Sequence, residues 1–314
     1  MAATDGSMPA PPDLLAAAGL RQVPLQPAQF DAATALVAEA GWNQVVDDWA
    51  LMQATGAAIG LVNDAGGLAA TALALPYTEG ARPEAAPFGW ISMVLVAGTM
   101  RRRGLATLLL RDRIAWLQAR GLVPILDATE AGEQVYRPLG FGPGIRISRW
   151  QGHGSASRVG AAAAGGDGVR QALAADRPAI AALDREAFGA DRRALIDAFL
   201  DRPGSHGFVA GEGRDMAGFA IVRKGRTAAQ IGPLLAADEG AAIALLDAAL
   251  ATVDGPVFLD LLDVRARLAG HLQARGFTRQ RGFLRMALGT MPSFGEQATD
   301  KGGRSMVIAG PEYG

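Results

Sequence analysis

The chain has 314 residues, 50% of them hydrophobic, with a formal net charge of −1, no cysteine and three histidines. This length favours two compact units, and the balanced charge removes any general electrostatic case for binding nucleic acid or an acidic membrane. Without cysteine there is no disulfide framework or thiolate nucleophile, and the histidines have no metal-ligand spacing. No apolar run reaches the roughly 20 residues of a membrane span. We therefore expect a cytoplasmic protein that binds no metal, membrane or nucleic acid.

The first part of the chain predicts a loose start followed by mixed strands and helices. Residues 1–18 are rich in small residues and proline and are expected to be a flexible leader. The elements predicted next are a strand, two short helices and two strands, at residues 21–25, 29–40, 42–49, 56–61 and 67–75. Because the two helices are short and join at Gly41, we expect them to form a lid rather than part of the core.

Residues 90–106 read as an apolar strand, a basic loop and the start of a leucine-rich helix. Three consecutive arginines follow the strand and precede Gly104. The first turn of such a helix has main-chain N–H groups without intrahelical partners and a partial positive charge. Gly104 and Ala106 leave these amides accessible. We therefore predict an anion site here, although an arginine run by itself is more often a solvated turn.

The second part of the chain repeats the order of elements of the first. Gly140-Phe141 and Gly276-Phe277 are equivalent points, because each follows a predicted helix and opens a predicted strand. The predicted divisions are a leader, a first domain, a Gly/Ala-rich linker, a second domain and a polar last segment, at residues 1–18, 19–152, 153–168, 169–290 and 291–314. A short strand is expected at 305–309.

Two motifs about 30 residues apart carry a family resemblance. The first is an Arg-x-x-Gly-x-Ala loop at residues 101–106, and the second is a Tyr-x-x-x-Gly-Phe segment at residues 136–141. Together they resemble the GNAT superfamily of acetyl-CoA-dependent N-acetyltransferases. Residues 41–44, 275–281 and 309–312 are similar to a bacterial tandem subgroup whose second copy has diverged. The resemblance implies an α/β protein with two tandem GNAT folds, each a mixed, mostly antiparallel sheet flanked by helices.

The resemblance also implies where acetyl-CoA binds. Its pantetheine would lie along the opening strand and its pyrophosphate on the loop, and a main-chain N–H near Leu95 or Val96 would polarise the thioester carbonyl. The residues implied to bind it are Val94, Leu95, Val96, Arg101, Arg102, Arg103, Gly104, Leu105, Ala106 and Thr107. In the second copy the equivalent loop lacks the motif and carries Asp238 and Glu239. Because these charges repel phosphate, we expect that copy to have lost the coenzyme.

Candidates for catalysis and acceptor binding are fewer. Tyr136 is implied to be the general acid for the departing thiolate, with a packed helix tyrosine as the alternative. Family members often carry a glutamate on the strand where this chain has Ser92, so this strand offers no carboxylate as a direct base. Trp42, Asn43 and Asp48 are predicted to bind the acceptor, with Asp48 either binding the amine or accepting its proton through water. The alternative is that Trp42 and Trp49 are lid core and Asp48 is a helix cap or a surface charge.

The remaining charged positions read as structural. Asp127, at the end of a predicted strand, reads as a turn residue. A basic run, defined by Arg275, Arg279, Arg281 and Arg285, reads as a solvated face, with contact to an acidic part of the substrate as the alternative.

The sequence thus predicts acetyl transfer to a primary amine of a small molecule or peptide by direct attack in a ternary complex. A non-catalytic acyl-CoA sensor is the rival hypothesis. A P-loop nucleotide-binding protein is disfavoured, because Gly-Lys-Ser/Thr is absent. The acceptor, the acyl-chain preference and the formation of a homodimer stay open.

Overall fold

The computed structural model describes residues 11–79, 86–156, 168–292 and 304–314, with only the backbone described for residues 11–13 and Arg214. Within these ranges the helices are α1 (Pro11–Ala17), α2 (Phe30–Glu39), α3 (Val46–Thr55), α4 (Leu105–Gln118), α5 (Glu130–Tyr136), α6 (Arg177–Phe188), α7 (Arg193–Asp201), α8 (Glu239–Leu250) and α9 (Ala266–Ala274). Their strands are β1 (Leu20–Pro24), β2 (Ala57–Asn63), β3 (Leu68–Tyr77), β4 (Phe88–Val96), β5 (Val123–Thr129), β6 (Phe141–His153), β7 (Val169–Gln171), β8 (His206–Ala210), β9 (Gly218–Arg223), β10 (Ala229–Ala236), β11 (Pro256–Leu262), β12 (Thr278–Leu288) and β13 (Ser305–Val307).

These strands form one sheet in the order β1-β2-β3-β4-β5-β12-β6-β11-β13-β10-β9-β8-β7. We call α1–α5 with β1–β6 the first unit, and the later elements the second unit. In each unit a run of antiparallel strands leads to a parallel pair, β4 with β5 and β10 with β11. The predicted α/β class with two repeated units is confirmed.

The closing strands of the two units exchange places. β12 pairs with β5 and β6 pairs with β11, so each unit completes the sheet of the other, and the two exchanged strands also pair with each other. The predicted first domain, 19–152, therefore contains a strand that lies in the sheet of the second. Alternation of apolar residues reveals that a strand is half buried, but it does not say which neighbour the strand pairs with.

Each exchanged strand carries an arginine that pairs with an aspartate directly opposite. Arg149 on β6 faces Asp260 on β11, and Arg285 on β12 faces Asp127 on β5. Both arginines bind both carboxylate oxygens of their partner at 2.8–3.0 Å, and all four side chains are buried. The expectations that Asp127 is a turn residue and Arg285 part of a solvated face are therefore wrong.

The helices predicted to form a lid are part of the core. Trp49 and Met52 on α3 are fully buried among apolar residues from both units, including Phe199 of α7. The lid expectation is wrong because α3 meets the second unit on its outer side, a contact that one copy of the fold does not have.

The leader and linker predictions fall partly outside the described residues. Residues 1–10 and 157–167 are among those not described. In the predicted leader, however, α1 places Leu14 and Leu15 against an apolar cluster that includes Leu105, Leu108 and Leu109 of α4.

The short strand expected at 305–309 is present as β13. It lies between β10 and β11, with Val307 opposite both Leu234 and Leu261. No helix in the described part of the chain is long and apolar enough to cross a membrane.

Candidate active site

A gap opens in the sheet between β4 and β5. Their parallel pairing covers only Phe88–Trp90 against residues 123–125, after which the strands diverge. On its other side β4 changes register against β3, and Met93 takes a positive φ of 53° at this irregularity. The Oγ1 of Thr71 donates to the carbonyl of Met93 at 2.8 Å and holds the bulge. Residues 91–96 therefore present main-chain groups to the gap that no strand of the sheet takes up.

A cavity of about 180 Å³ lies in this gap, which we call the β4–β5 cavity. Both units line it. The first unit contributes Trp42, Gln44, Ile91, Ser92, Met93, Val94, Leu126, Asp127, Thr129, Tyr136 and Arg149, and the second contributes Arg281, Phe283, Pro311 and Glu312. The exchange of closing strands brings Arg281 and Phe283 here, because both lie on β12.

The predicted anion loop follows directly from β4. Gly104, with a φ of 77°, forms the N-cap of the 14-residue α4 and has no side chain to cap its first turn. The first main-chain hydrogen bond of this helix is donated by the N–H of Leu108 to the carbonyl of Gly104. The N–H groups of Leu105, Ala106 and Thr107 therefore stay available to an anion. Arg102 has a φ of 62°; Met93 and Arg102 are the non-glycine residues with positive φ among those described. Such strain in a strand and in the loop that follows it is typical of a binding site.

The residues implied to bind acetyl-CoA lie along this path in two groups. The side chains of Leu95 and Leu105 are buried, so these residues offer only main-chain groups. Val94, Val96, Arg101, Arg102, Arg103, Gly104, Ala106 and Thr107 are at least partly exposed. Arg101 is tied to the site by its own bonds to the Val96 carbonyl, at 3.1 Å, and to Glu39, at 3.2 Å. The loop residues therefore suit a diphosphate, and the main-chain groups of β4 suit an extended chain that contains amides.

Tyr136, the predicted general acid, ends α5 and lines the β4–β5 cavity. Its ring packs against Phe141 at a centroid distance of 6.0 Å, and a Cβ on Gly132 would lie 2.9 Å from it. Gly132 thus leaves room for the ring. Burial raises the pKa of the phenol, so it keeps its proton at neutral pH.

The three predicted acceptor-binding residues do not all line the same cavity. Trp42 lines the β4–β5 cavity. Asn43 instead binds the loop before β10, donating to the Ala228 carbonyl and accepting from the N–H of Thr227. Asp48 is buried and accepts from the guanidinium of Arg202 at 2.8 Å. Both Asn43 and Asp48 border a smaller neighbouring pocket.

Sequence reasoning missed Glu312 as a site residue. It reaches the β4–β5 cavity because residues 304–314 run from β13 back into the first unit. The Oγ of Ser92 donates to the Glu312 carbonyl at 3.0 Å, and the Nε1 of Trp90 donates to the Pro311 carbonyl at 2.9 Å. The resemblance at 309–312 was a signal for this segment, but it carried no information on where the segment lies.

The equivalent gap in the second unit is filled. β10 and β11 pair only over Ala229–Ile231 and residues 257–259, and β10 changes register after Ile231, as β4 does at Met93. β13 occupies the space beyond, and the N–H of Ile308 donates to the Asp260 carbonyl at 3.0 Å. The chain itself therefore takes the main-chain positions that stay open in the first unit.

No three acidic or histidine side chains of the described residues come together as a metal site requires.

Both halves of the chain match families of known acetyltransferases. Residues 28–141 match the acetyltransferase (GNAT) family and residues 180–298 match an acetyltransferase (GNAT) domain. The chain therefore belongs to the GNAT family and carries two GNAT domains. The family places it among the acyl-CoA-dependent N-acetyltransferases, with acetyl-CoA as the family's donor.

Solved structures show the same fold at low identity. A proposed acetyltransferase from Pyrococcus horikoshii is 18% identical, with a TM-score of 0.74 over 94% of this chain and 96% of that one. A tandem GNAT protein from the clavulanic acid biosynthesis pathway is 14% identical, with a TM-score of 0.61 over 89% and 100%. A GCN5-related N-acetyltransferase from Kribbella flavida is 23% identical, with a TM-score of 0.53 over 84% and 70%. No curated protein matches the chain.

Proposed function

We propose that this chain transfers an acetyl group from acetyl-CoA to a primary amine of a small molecule or peptide, by direct attack in a ternary complex in the first unit. The observation that carries the proposal is the β4–β5 cavity, which lies at the divergent edge of β4 and holds Tyr136, together with the open N-terminus of α4 that follows this strand in the chain. The second unit has the same gap, but β13 fills it. We therefore assign one coenzyme site per chain.

The first unit offers each group that binding of acetyl-CoA requires. The amides of residues 105–107 and the arginines before them suit the diphosphate. The open edge of β4 suits the amides of pantetheine, which would extend the sheet as another strand does. A main-chain N–H near Leu95 or Val96, beyond the bulge at Met93, would donate to the thioester oxygen as negative charge develops there.

The second unit completes the acceptor side of the cavity. Arg281 lines it and forms no ion pair with a described carboxylate, although its Nε donates to the side chain of Gln280 at 3.3 Å; Arg149, in contrast, is held by Asp260. An acceptor with a negative group beside its amine fits the guanidinium of Arg281, because an arginine binds a carboxylate through two hydrogen bonds. Trp42 closes the same space with an apolar and aromatic surface.

The rival hypothesis of an acyl-CoA sensor is tested by release of free CoA. A panel of primary amines, with and without a carboxylate, is incubated with acetyl-CoA and the full chain. Release that depends on the amine supports the enzyme, and binding of acetyl-CoA without release for any amine supports the sensor.

Tyr136→Phe is expected to lower kcat by about 100-fold, because the departing thiolate loses its proton donor. The Kd of acetyl-CoA should stay within about twofold, since the ring remains and the hydroxyl is not needed for binding. Turnover of the best amine and calorimetry of acetyl-CoA binding measure the two effects. Val135→Ala, an exposed neighbour on the same helix, is the matched control. Equal turnover of Tyr136→Phe and the control would contradict the donor role.

A further inference from the structure

Residues 309–314 are held between the two units by bonds from several elements. The hydroxyl of Tyr77 donates to the Tyr313 carbonyl at 2.7 Å, and Arg192 donates to the main-chain oxygen of Gly314 at 2.7 Å. Arg223 donates to the carbonyl of Ala309. Tyr313 is fully buried and packs edge-on against the ring of Phe199 at 5.1 Å. Glu312 therefore has a fixed position between well-packed neighbours.

The side chain of Glu312 is poorly paired for a buried carboxylate. The residue is 7% exposed, and its Oε2 has no hydrogen-bond partner among the described residues. None of the ion pairs of the described chain includes it. A buried carboxylate oxygen without a partner is costly, and the Glu312 side chain lines both the β4–β5 cavity and the smaller pocket beside it. Buried titratable groups of this kind are typical of catalytic sites, where they take part in the reaction.

We propose that Glu312 is the general base that takes a proton from the acceptor ammonium in the β4–β5 cavity, an inference that rests on the acetyltransferase function proposed above. The strand position expected to carry a carboxylate holds Ser92, whose hydroxyl binds the main chain of Glu312. Ser92 thus positions the segment that brings a carboxylate from 220 residues away in the chain.

The other carboxylates near the cavity are already engaged. Both oxygens of Asp127 accept from Arg285, at 2.9 and 3.0 Å. One oxygen of Asp48 accepts from Arg202 and from the hydroxyl of Tyr313, and the other accepts from a main-chain N–H. A base needs an oxygen that is free to accept a proton within reach of the substrate, and among these carboxylates Glu312 has one, Oε2, to which no group of the described residues donates.

The charges around Glu312 suit a base at neutral pH. Burial raises the pKa of its carboxyl to about 7, against the opposing effect of Arg223; Asp48 raises it further and Arg149 lowers it. These groups come from β9, α3 and β6, and Tyr136, Asp127 and Arg281 face the same cavity from α5, β5 and β12. A base of this strength is ionised in a large fraction of molecules at pH 7 and still accepts a proton readily.

The proton transfers balance with Tyr136 as the acid. Glu312 takes one proton from the ammonium, and the neutral nitrogen forms a bond to the thioester carbon. The C–S bond then breaks, and Tyr136 gives its proton to the thiolate. A second N–H proton returns to Tyr136 through water, and Glu312 releases its proton to solvent. The products are the amide, CoA thiol and one proton.

The test compares Glu312→Gln with Glu186→Gln, an exposed control on α6. We expect Glu312→Gln to lower kcat/KM by about 100-fold or more while the Kd of acetyl-CoA stays within about twofold. In the unsubstituted chain kcat/KM should rise with pH through a group of pKa about 7, and this limb should be absent from Glu312→Gln.

A second readout does not depend on turnover. Because the pKa of Glu312 is raised in the folded chain, ionisation favours unfolding, so the unsubstituted protein loses stability as pH rises from about 4.5 through about 7. Glu312→Gln should therefore have a higher Tm than the unsubstituted chain at pH 8 but not at pH 4. This result separates an ionising buried group from a residue that only packs.

The outcomes separate the two proposals. Loss of turnover, loss of the pH limb and a gain in Tm at pH 8 support Glu312 as the base. Unchanged turnover and pH profile in Glu312→Gln overturn this inference alone, because the unsubstituted chain is then still an acetyltransferase. No turnover of any amine by the unsubstituted chain overturns the proposed function and this inference with it.

Discussion

Asp260→Ala is expected to lower the free energy of unfolding by about 3–5 kcal/mol, because it leaves the guanidinium of Arg149 buried and charged without its partner. The Asp260 side chain is fully buried and accepts twice from Arg149 at 2.8 Å and once from Gln230 at 3.0 Å. The pair joins the closing strand of the first unit to the sheet of the second. Its loss therefore acts where the two units are interlocked.

Urea unfolding of the full chain measures this change. Asp254→Ala, an exposed aspartate just before the same strand, is the control and should change stability by less than about 0.5 kcal/mol. Adding Arg149→Met to Asp260→Ala removes the unpaired charge and should recover part of the loss. A loss below about 1 kcal/mol for Asp260→Ala would show that the exchange of strands does not depend on the pair.

A chain that ends before Arg304 is expected to lose both its activity and its stable fold. The missing segment buries Met306, Val307 and Tyr313 almost completely, and each large apolar side chain contributes about 1.5–3 kcal/mol when buried. Their sum is comparable to the roughly 5–15 kcal/mol that stabilises a typical domain. The shorter chain also opens the gap between β10 and β11 and loses Glu312.

A second truncation separates these effects. A chain that ends after Gly310 keeps β13 but loses Glu312 and Tyr313, so we expect it to retain its sheet and show a lower Tm and no turnover. Circular dichroism on heating and the CoA-release assay measure the two properties. If the chain ending before Arg304 melts at the same temperature as the full chain, β13 does not support the second unit.

The strand-loop-helix at the centre of the site was predictable because its signals are local. The apolar run of β4, the glycine before α4 and the leucine stripe of that helix all lie within residues 88–118, and the structure places them as expected. The stripe of Leu110, Ile114 and Leu117 is buried, as its spacing predicts. Tyr136 followed from a second local motif.

The parts that were not predictable depend on residues far apart in the chain. Asp127 and Arg285 are 158 residues apart, and Ser92 and Glu312 are 220 apart. Each looks ordinary in its own segment, as a turn aspartate, a surface arginine, a strand serine and a glutamate in the last few residues of the sequence. Only the exchange of β6 with β12 and the return of residues 304–314 bring them together, and strand pairing of this kind is decided by competition among whole strands.

The lid prediction failed for a related reason. The pattern of α2 and α3 predicts a lid only for an isolated first unit, because α3 would then face solvent on one side. The second unit covers that side and buries Trp49. A repeat in the sequence thus reveals two folds but not the interface between them.

The central claim is that the chain has one acetyl-CoA site, in the first unit. Isothermal titration calorimetry of the full chain with acetyl-CoA tests it most directly, and we predict one bound molecule per chain. Ala106→Glu, which gives the first loop an acidic residue as in the second, should abolish binding, whereas Ala237→Glu in the second loop should not change it. Two bound molecules per chain, or binding lost only in Ala237→Glu, would contradict the account.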